Sequence, residues 1–69
     1  MKISARNTLP GTVKLIKKGM ISCEVVITLA NGVEVVSVVT NESVEGLGLT
    51  VGSKAYAVIK ASSVMLAVD

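Results

Sequence analysis

Two short segments hold the residues best suited to chemistry, Ser4-Ala5-Arg6-Asn7 near the start of the chain and Lys60-Ala61-Ser62-Ser63 near its end. Each joins a full positive charge to hydroxyl donors and a small residue. Arginine offers a planar fork that engages two oxygens at once, lysine a compact charge, and serine a hydroxyl that rotates to suit its acceptor. Alanine lets the backbone come close, so that its N–H can point at an oxygen. Successive free N–H groups in a turn make an anion-binding concavity. A tetrahedral dianion asks for this combination, which makes Ser4, Ala5, Arg6, Lys60, Ala61 and Ser62 candidate oxyanion-binding residues. The plainer readings are local turn hydrogen bonds for Ser4 and Ser62, and for Arg6 a surface ion pair of little energetic worth.

The distribution of charge favours an anion. The net charge is only +2, but the signs are segregated. Residues 1–23 carry Lys2, Arg6, Lys14, Lys17 and Lys18 and no acid; residues 46–68 carry Lys54 and Lys60, again without an acid. Glu24, Glu34, Glu42 and Glu45 all fall in the middle. If the first and last strands of a barrel lie side by side, the two ends form one donor-rich, acid-free surface. Lys14, Lys17 and Lys18 read more simply as solvated residues on a strand face.

Other chemistries find little support. The chain has no histidine and a single cysteine, so neither an intrachain disulfide nor a zinc or copper site can be assembled. Cys23 falls mid-strand without a base beside it and reads as a small buried hydrophobe. No nucleophile–base pair is visible, and no catalytic residue is assigned. An OB-type nucleic-acid-binding module is the alternative from another class. It stacks bases on aromatics, and Tyr56 is the only aromatic present. A purely structural oligomerisation module is a third reading.

The elements that must position the candidate residues are strands. β-Branched residues dominate. Strands are expected over residues 12–18, entered after Pro10-Gly11, then 21–29, 33–40, 53–59 and 64–68. In the second, Ile21, Cys23, Val25, Ile27 and Leu29 alternate with Ser22, Glu24 and Thr28, the period of a half-buried strand. Asn31-Gly32 predicts a hairpin with a type I′ turn. In the third strand Val36 and Val38 break the parity of Val33 and Val35, which implies a bulge near Val36-Ser37 or two covered faces. Residues 40–48 predict one helix of about two turns, capped by Thr40 or Asn41 and ended by glycines. The sum is an all-β fold: a small five-stranded OB-like Greek-key barrel with one short helix, occupying residues 1–69 as one domain.

A chain of 69 residues is marginal alone. Hydrophobic residues make up 51% of it against 1% aromatic, more aliphatic side chain than a small barrel can enclose, so assembly as an oligomer is expected. No apolar run approaches the length needed to span a bilayer, no targeting segment is visible, and the lone thiol suits a reducing compartment. A cytoplasmic protein that binds neither membrane nor nucleic acid is expected.

Ser4-Ala5-Arg6-Asn7-x-Leu9-x-Gly11-x-Val13 resembles the opening signature of the molbindins (the Mop family), small molybdate- and tungstate-binding proteins built on the TOBE-type domain. The Asn31-Gly32 hairpin, the Thr40-Asn41-Glu42-Ser43 segment, Gly46-Leu47 and Lys60-Ala61-Ser62-Ser63-Val64 resemble that family in order and spacing. The resemblance spans essentially the whole chain. It implies an OB-like barrel assembled as a homo-hexamer, a trimer of dimers, with molybdate or tungstate as bound ligand at subunit interfaces and a role in intracellular molybdenum storage and homeostasis. One class of site would use Ser4, Ala5 and Arg6, completed by Lys60, Ala61 and Ser62, with some of these groups from a neighbouring subunit and no directly coordinated metal ligand. A second class, near the threefold axis, would use Thr40, Asn41 and Ser43, residues that can equally serve as simple helix caps.

Such a site would select by proton inventory. Molybdate and tungstate are fully deprotonated near neutral pH and only accept hydrogen bonds. Phosphate often keeps a proton and wants an acceptor, so an all-donor site disfavours it. Sulfate is also fully ionised and can be excluded only by size.

Overall fold

The computed structural model describes residues 1–69. Its strands are β1 (Asn7–Lys18), β2 (Ser22–Leu29), β3 (Glu34–Thr40) and β4 (Lys54–Ile59), with helix α1 (Asn41–Leu47) between the last two. All pairings are antiparallel and the sheet order is β3-β2-β1-β4. A three-strand meander whose fourth strand returns beside the first is the Greek-key arrangement. The sheet curls but does not close, since β3 and β4 both remain edges.

β1 starts five residues before the position expected from the sequence. Pro10-Gly11 lies inside it instead of marking its entry. Proline is tolerated where one side of a strand lacks a neighbour. Pro10 pairs with Tyr56 of β4, while pairing with β2 begins only at Gly11. Glycine is required at the next position. A Cβ on Gly11 would meet Ile27 Cγ2 at 2.4 Å and the Thr28 carbonyl oxygen at 2.8 Å. The Gly11→Ala variant should therefore lose on the order of 1–3 kcal/mol of stability, measurable as a lowered denaturant midpoint at unchanged m-value.

Two further local expectations are corrected. β3 has no bulge: its register with β2 is continuous, with Val35, Ser37 and Val39 facing inward, half-buried, and Val36 and Val38 facing out. The irregularity lies in β1 between Val13 and Leu15. The β2–β3 turn is not type I′, which needs positive φ at two residues. Here only Gly32 has it, at 86°. Gly32 N–H donates to Leu29 O at 2.9 Å, and Asn31 Oδ1 accepts from Val33 N. These contacts describe a longer hairpin with glycine in the left-handed position.

The core is small. Val13, Cys23, Val25 and Val44 form its centre, flanked by Ile16, Val39, Leu49 and Ala55. Val44 projects from α1, so the helix plugs one end of the curl. As expected, Thr40 is the N-cap, with Oγ1 accepting from Ser43 N at 3.0 Å, and α1 ends at Gly48 with φ 66°. Cys23 is buried, as its reading as a small hydrophobe required. No helix is long and apolar enough to cross a membrane.

The fifth strand, expected over residues 64–68, is absent. After Ile59 the chain makes a 3-10 turn, Ala61–Ser63, and runs on without a ladder partner. Met65, Leu66 and Val68 are 92–98% exposed. The composition of a strand is present, but strand structure requires a paired edge, and this segment pairs with neither β3 nor β4 of its own chain. The seam between those two edges is correspondingly apolar, lined by Ile27, Val35, Val39, Ala57, Val58 and Ile59 among others. The accessible surface is 5577 Å², against roughly 4,100 Å² for a compact monomer of this mass.

Candidate functional site

The two donor segments meet because of strand pairing. β1 and β4 are antiparallel, and their last rung is Asn7 opposite Ile59. Asn7 Nδ2 donates to Ile59 O at 3.2 Å and locks that rung. The residues just before β1 and just after β4 therefore emerge side by side. Ser4, Ala5, Arg6, Lys60, Ala61 and Ser62 all line one cleft of about 620 Å³, with Ile3 and Val58 as its apolar walls. Those two walls were not singled out from the sequence; isolated aliphatic residues beside a motif carry no signal of their own.

The donors in this cleft are uncommitted. Ser4 and Arg6 sit at bends and Lys60 caps the 3-10 turn, all exposed, while Ala5 is half-buried. None of the side chains of Ser4, Arg6, Lys60 or Ser62 makes a hydrogen bond within the chain. No loop or turn hydrogen bond is donated by the backbone of Ser4, Ala5, Arg6, Ala61 or Ser62. Neither cation has a carboxylate within 4.0 Å: the one ion pair joins Lys14 to Glu34, on strands β1 and β3. The surface ion pair considered for Arg6 is thus not made. No acid lines the cleft. Two unneutralised positive charges and several free N–H and O–H donors converge on an open concavity, an arrangement suited to an anion that only accepts hydrogen bonds.

The second group behaves differently. Thr40 Oγ1 accepts from Ser43 N and donates to Ser43 Oγ at 2.8 Å. Asn41 is a bracket between α1 and the β1–β2 turn. Its Nδ2 donates to Gly19 O at 3.0 Å and Met20 O at 3.2 Å, its N–H donates to Ile21 O, and its Oδ1 accepts from the Cys23 thiol. These polar atoms are engaged in capping and bracing, and of the three side chains only Ser43 keeps a free hydroxyl proton. Thr40→Ala should cost about 1 kcal/mol through the lost cap, read by chemical denaturation. Its effect on anion affinity should be small beside that of a change in the cleft.

Comparison with known proteins identifies the family of the chain. Residues 3–66 match the TOBE domain. Molybdenum-pterin-binding protein 3 of Clostridium pasteurianum is 46% identical over 66 residues, covering 96% of this chain and 97% of that protein. Among solved structures, MopII from Clostridium pasteurianum superposes with a TM-score of 0.92 at 42% identity, over 97% of this chain and all of that one. A molybdate-binding protein from Sporomusa ovata gives 0.91 at 40% identity, covering 97% and 98% of the two chains.

Proposed function

This chain belongs to the TOBE-domain family, among its molybdenum-pterin-binding (Mop) members, and on that premise we propose that it binds molybdate or tungstate, without catalysis, at interfaces between its own copies. The observation that carries the reading is the acid-free cleft uniting Ser4, Ala5, Arg6, Lys60, Ala61 and Ser62. Cation and hydroxyl donors there would hold the anion's oxygens, and the absence of a carboxylate acceptor would disfavour protonated phosphate. Width would discriminate against sulfate. Ser43, through its free hydroxyl, is the group that would serve a second site beside α1; Thr40 and Asn41 would hold it in place.

Assembly is part of the proposal. The cleft is far larger than one tetrahedral anion needs, when a water molecule takes up only about 30 Å³. A neighbouring copy would narrow it. The chain also exposes roughly 1,500 Å² more than a compact monomer of its mass would. A standard interface takes only about 800 Å² per partner. The apolar seam between β3 and β4 and the unpaired apolar segment 64–68 are complementary, and we assign the segment of one copy to the seam of the next. The hexamer implied by the family resemblance is the closed assembly this reading favours, and a cytoplasmic role in molybdenum storage suits a free, buried thiol. The one aromatic, Tyr56, offers no run of stacking platforms, which disfavours nucleic acid as the ligand.

Native mass spectrometry with and without sodium molybdate tests the reading. The expected result is a discrete oligomer that gains the mass of bound anions. A monomer that gains none would refute it. Molybdate at a hundred times its Kd should also stabilise the native assembly by about 2.7 kcal/mol, seen as a raised Tm that equimolar phosphate does not reproduce.

A further inference from the structure

Resting on the anion-binding and tail-exchange readings above, we propose that the anion cleft is a latch on the exchange: loading the anion and docking segment 64–68 on a neighbouring copy strengthen one another. Three observations converge. The 3-10 turn Ala61–Ser63 is the sole link between β4 and the segment, and Ala61 and Ser62 also line the cleft. That turn is held only by Ser63 N–H donating to Lys60 O at 2.8 Å and Val64 N–H donating to Ala61 O at 3.2 Å. Val58 lines both the cleft and the seam, so the two concavities share a wall.

The coupling follows from where the rigid body ends. Ile59 is fixed to Asn7 by the last rung of the β1–β4 ladder and by the asparagine side chain. Beyond it, the few torsions at residues 60–64 set the direction in which the exposed segment leaves. An anion held by Ser4 and Arg6, just before β1, and by Lys60 and Ser62 on the turn ties the two emerging segments together and restrains those torsions. A segment already seated in a neighbour's seam restrains them too. Whichever event comes first bears an ordering cost that the second is then spared, so each raises the affinity of the other by the same factor.

The test uses full-length protein. Isotopically light and heavy oligomers are mixed, and subunit exchange is followed by native mass spectrometry with and without sodium molybdate. At a molybdate concentration just sufficient to saturate wild type, wild-type exchange should slow by about tenfold, within the usual range of such couplings. Exchange of Arg6→Ala, which binds roughly a hundredfold more weakly and stays largely unloaded, should be little changed. Leu66→Glu, and more mildly Leu66→Ala, should weaken molybdate binding in calorimetry although Leu66 lies outside the cleft; far-UV circular dichroism verifies that each variant is folded. Wild type that binds molybdate yet exchanges at the same rate would overturn the latch while sparing the binding site. So would a folded but dissociated Leu66→Glu that binds with wild-type affinity. No molybdate binding by wild type at all would overturn the site itself, and the latch with it.

Discussion

Replacing Arg6 with alanine should weaken molybdate binding by about 3 kcal/mol, roughly a hundredfold, and leave the fold intact. The size of the effect follows from what the guanidinium does not do in the free chain. It makes no hydrogen bond and has no carboxylate within 4.0 Å, and its side chain is exposed. Its removal leaves no buried partner stranded, so stability is spared, and the loss is confined to the bound state. Arg6→Lys should fall between wild type and alanine. It keeps the charge but gives up the planar fork that engages two oxygens together. Titration calorimetry on the three proteins gives the order directly.

A larger loss is expected from Lys60→Glu. That change removes an attraction and installs a repulsion in one step. Two unit charges about 4 Å apart interact by roughly 4 kcal/mol at an effective dielectric constant of about 20, and the ligand carries two. Binding should become undetectable at millimolar molybdate. Lys17→Glu makes the same change in net charge near the far end of β1, 11 positions from Arg6, which is roughly 35 Å of extended strand. That is several Debye lengths at physiological salt, and the variant should bind as wild type does. Equal losses at both positions would mean that overall charge, and not the cleft, governs affinity.

The candidate cleft was legible because its chemistry is concentrated in two contiguous segments. Its apolar walls were not, because Ile3 and Val58 differ in nothing from other aliphatic positions. β2 and α1 were legible for a related reason: the alternation that buries Cys23, Val25 and Ile27 and the Thr40 cap are local properties, although Ile21 lies just outside the strand, 76% exposed, and Val26 is buried on the other face. β1 was truncated in the reading because Pro10-Gly11 ordinarily ends a strand. Here the missing neighbour at Pro10 and the close approach at Gly11 make the pair a requirement of the strand instead. The segment 64–68 failed in the opposite sense. Val64, Met65, Leu66 and Val68 have the composition of a strand, but a strand is a property of two partners, and only one is present in a single chain. Thr40, Asn41 and Ser43 illustrate a third limit. The atoms that would bind an anion are the atoms that cap a helix, and only geometry shows that two of these three side chains are committed within the chain.

The outward stripe on the sheet follows the same logic. Leu15, Val26 and Val36 are direct neighbours across β1, β2 and β3; Val26 is buried between the other two, while Leu15 and Val36 remain 45% and 61% exposed. This accounts for the apolar residues of β3 on its second face. They add to the surface that a monomer of this size would not leave to water.

Diffraction at the molybdenum absorption edge, from crystals grown with excess molybdate, tests the central claim most directly, because the anomalous signal locates the metal without reference to any assumed ligand set. The prediction is a peak between neighbouring copies with its oxygens in hydrogen-bond contact with Ser4, Arg6, Lys60 and Ser62. Peaks only elsewhere on the protein, or none at saturating anion, would contradict it.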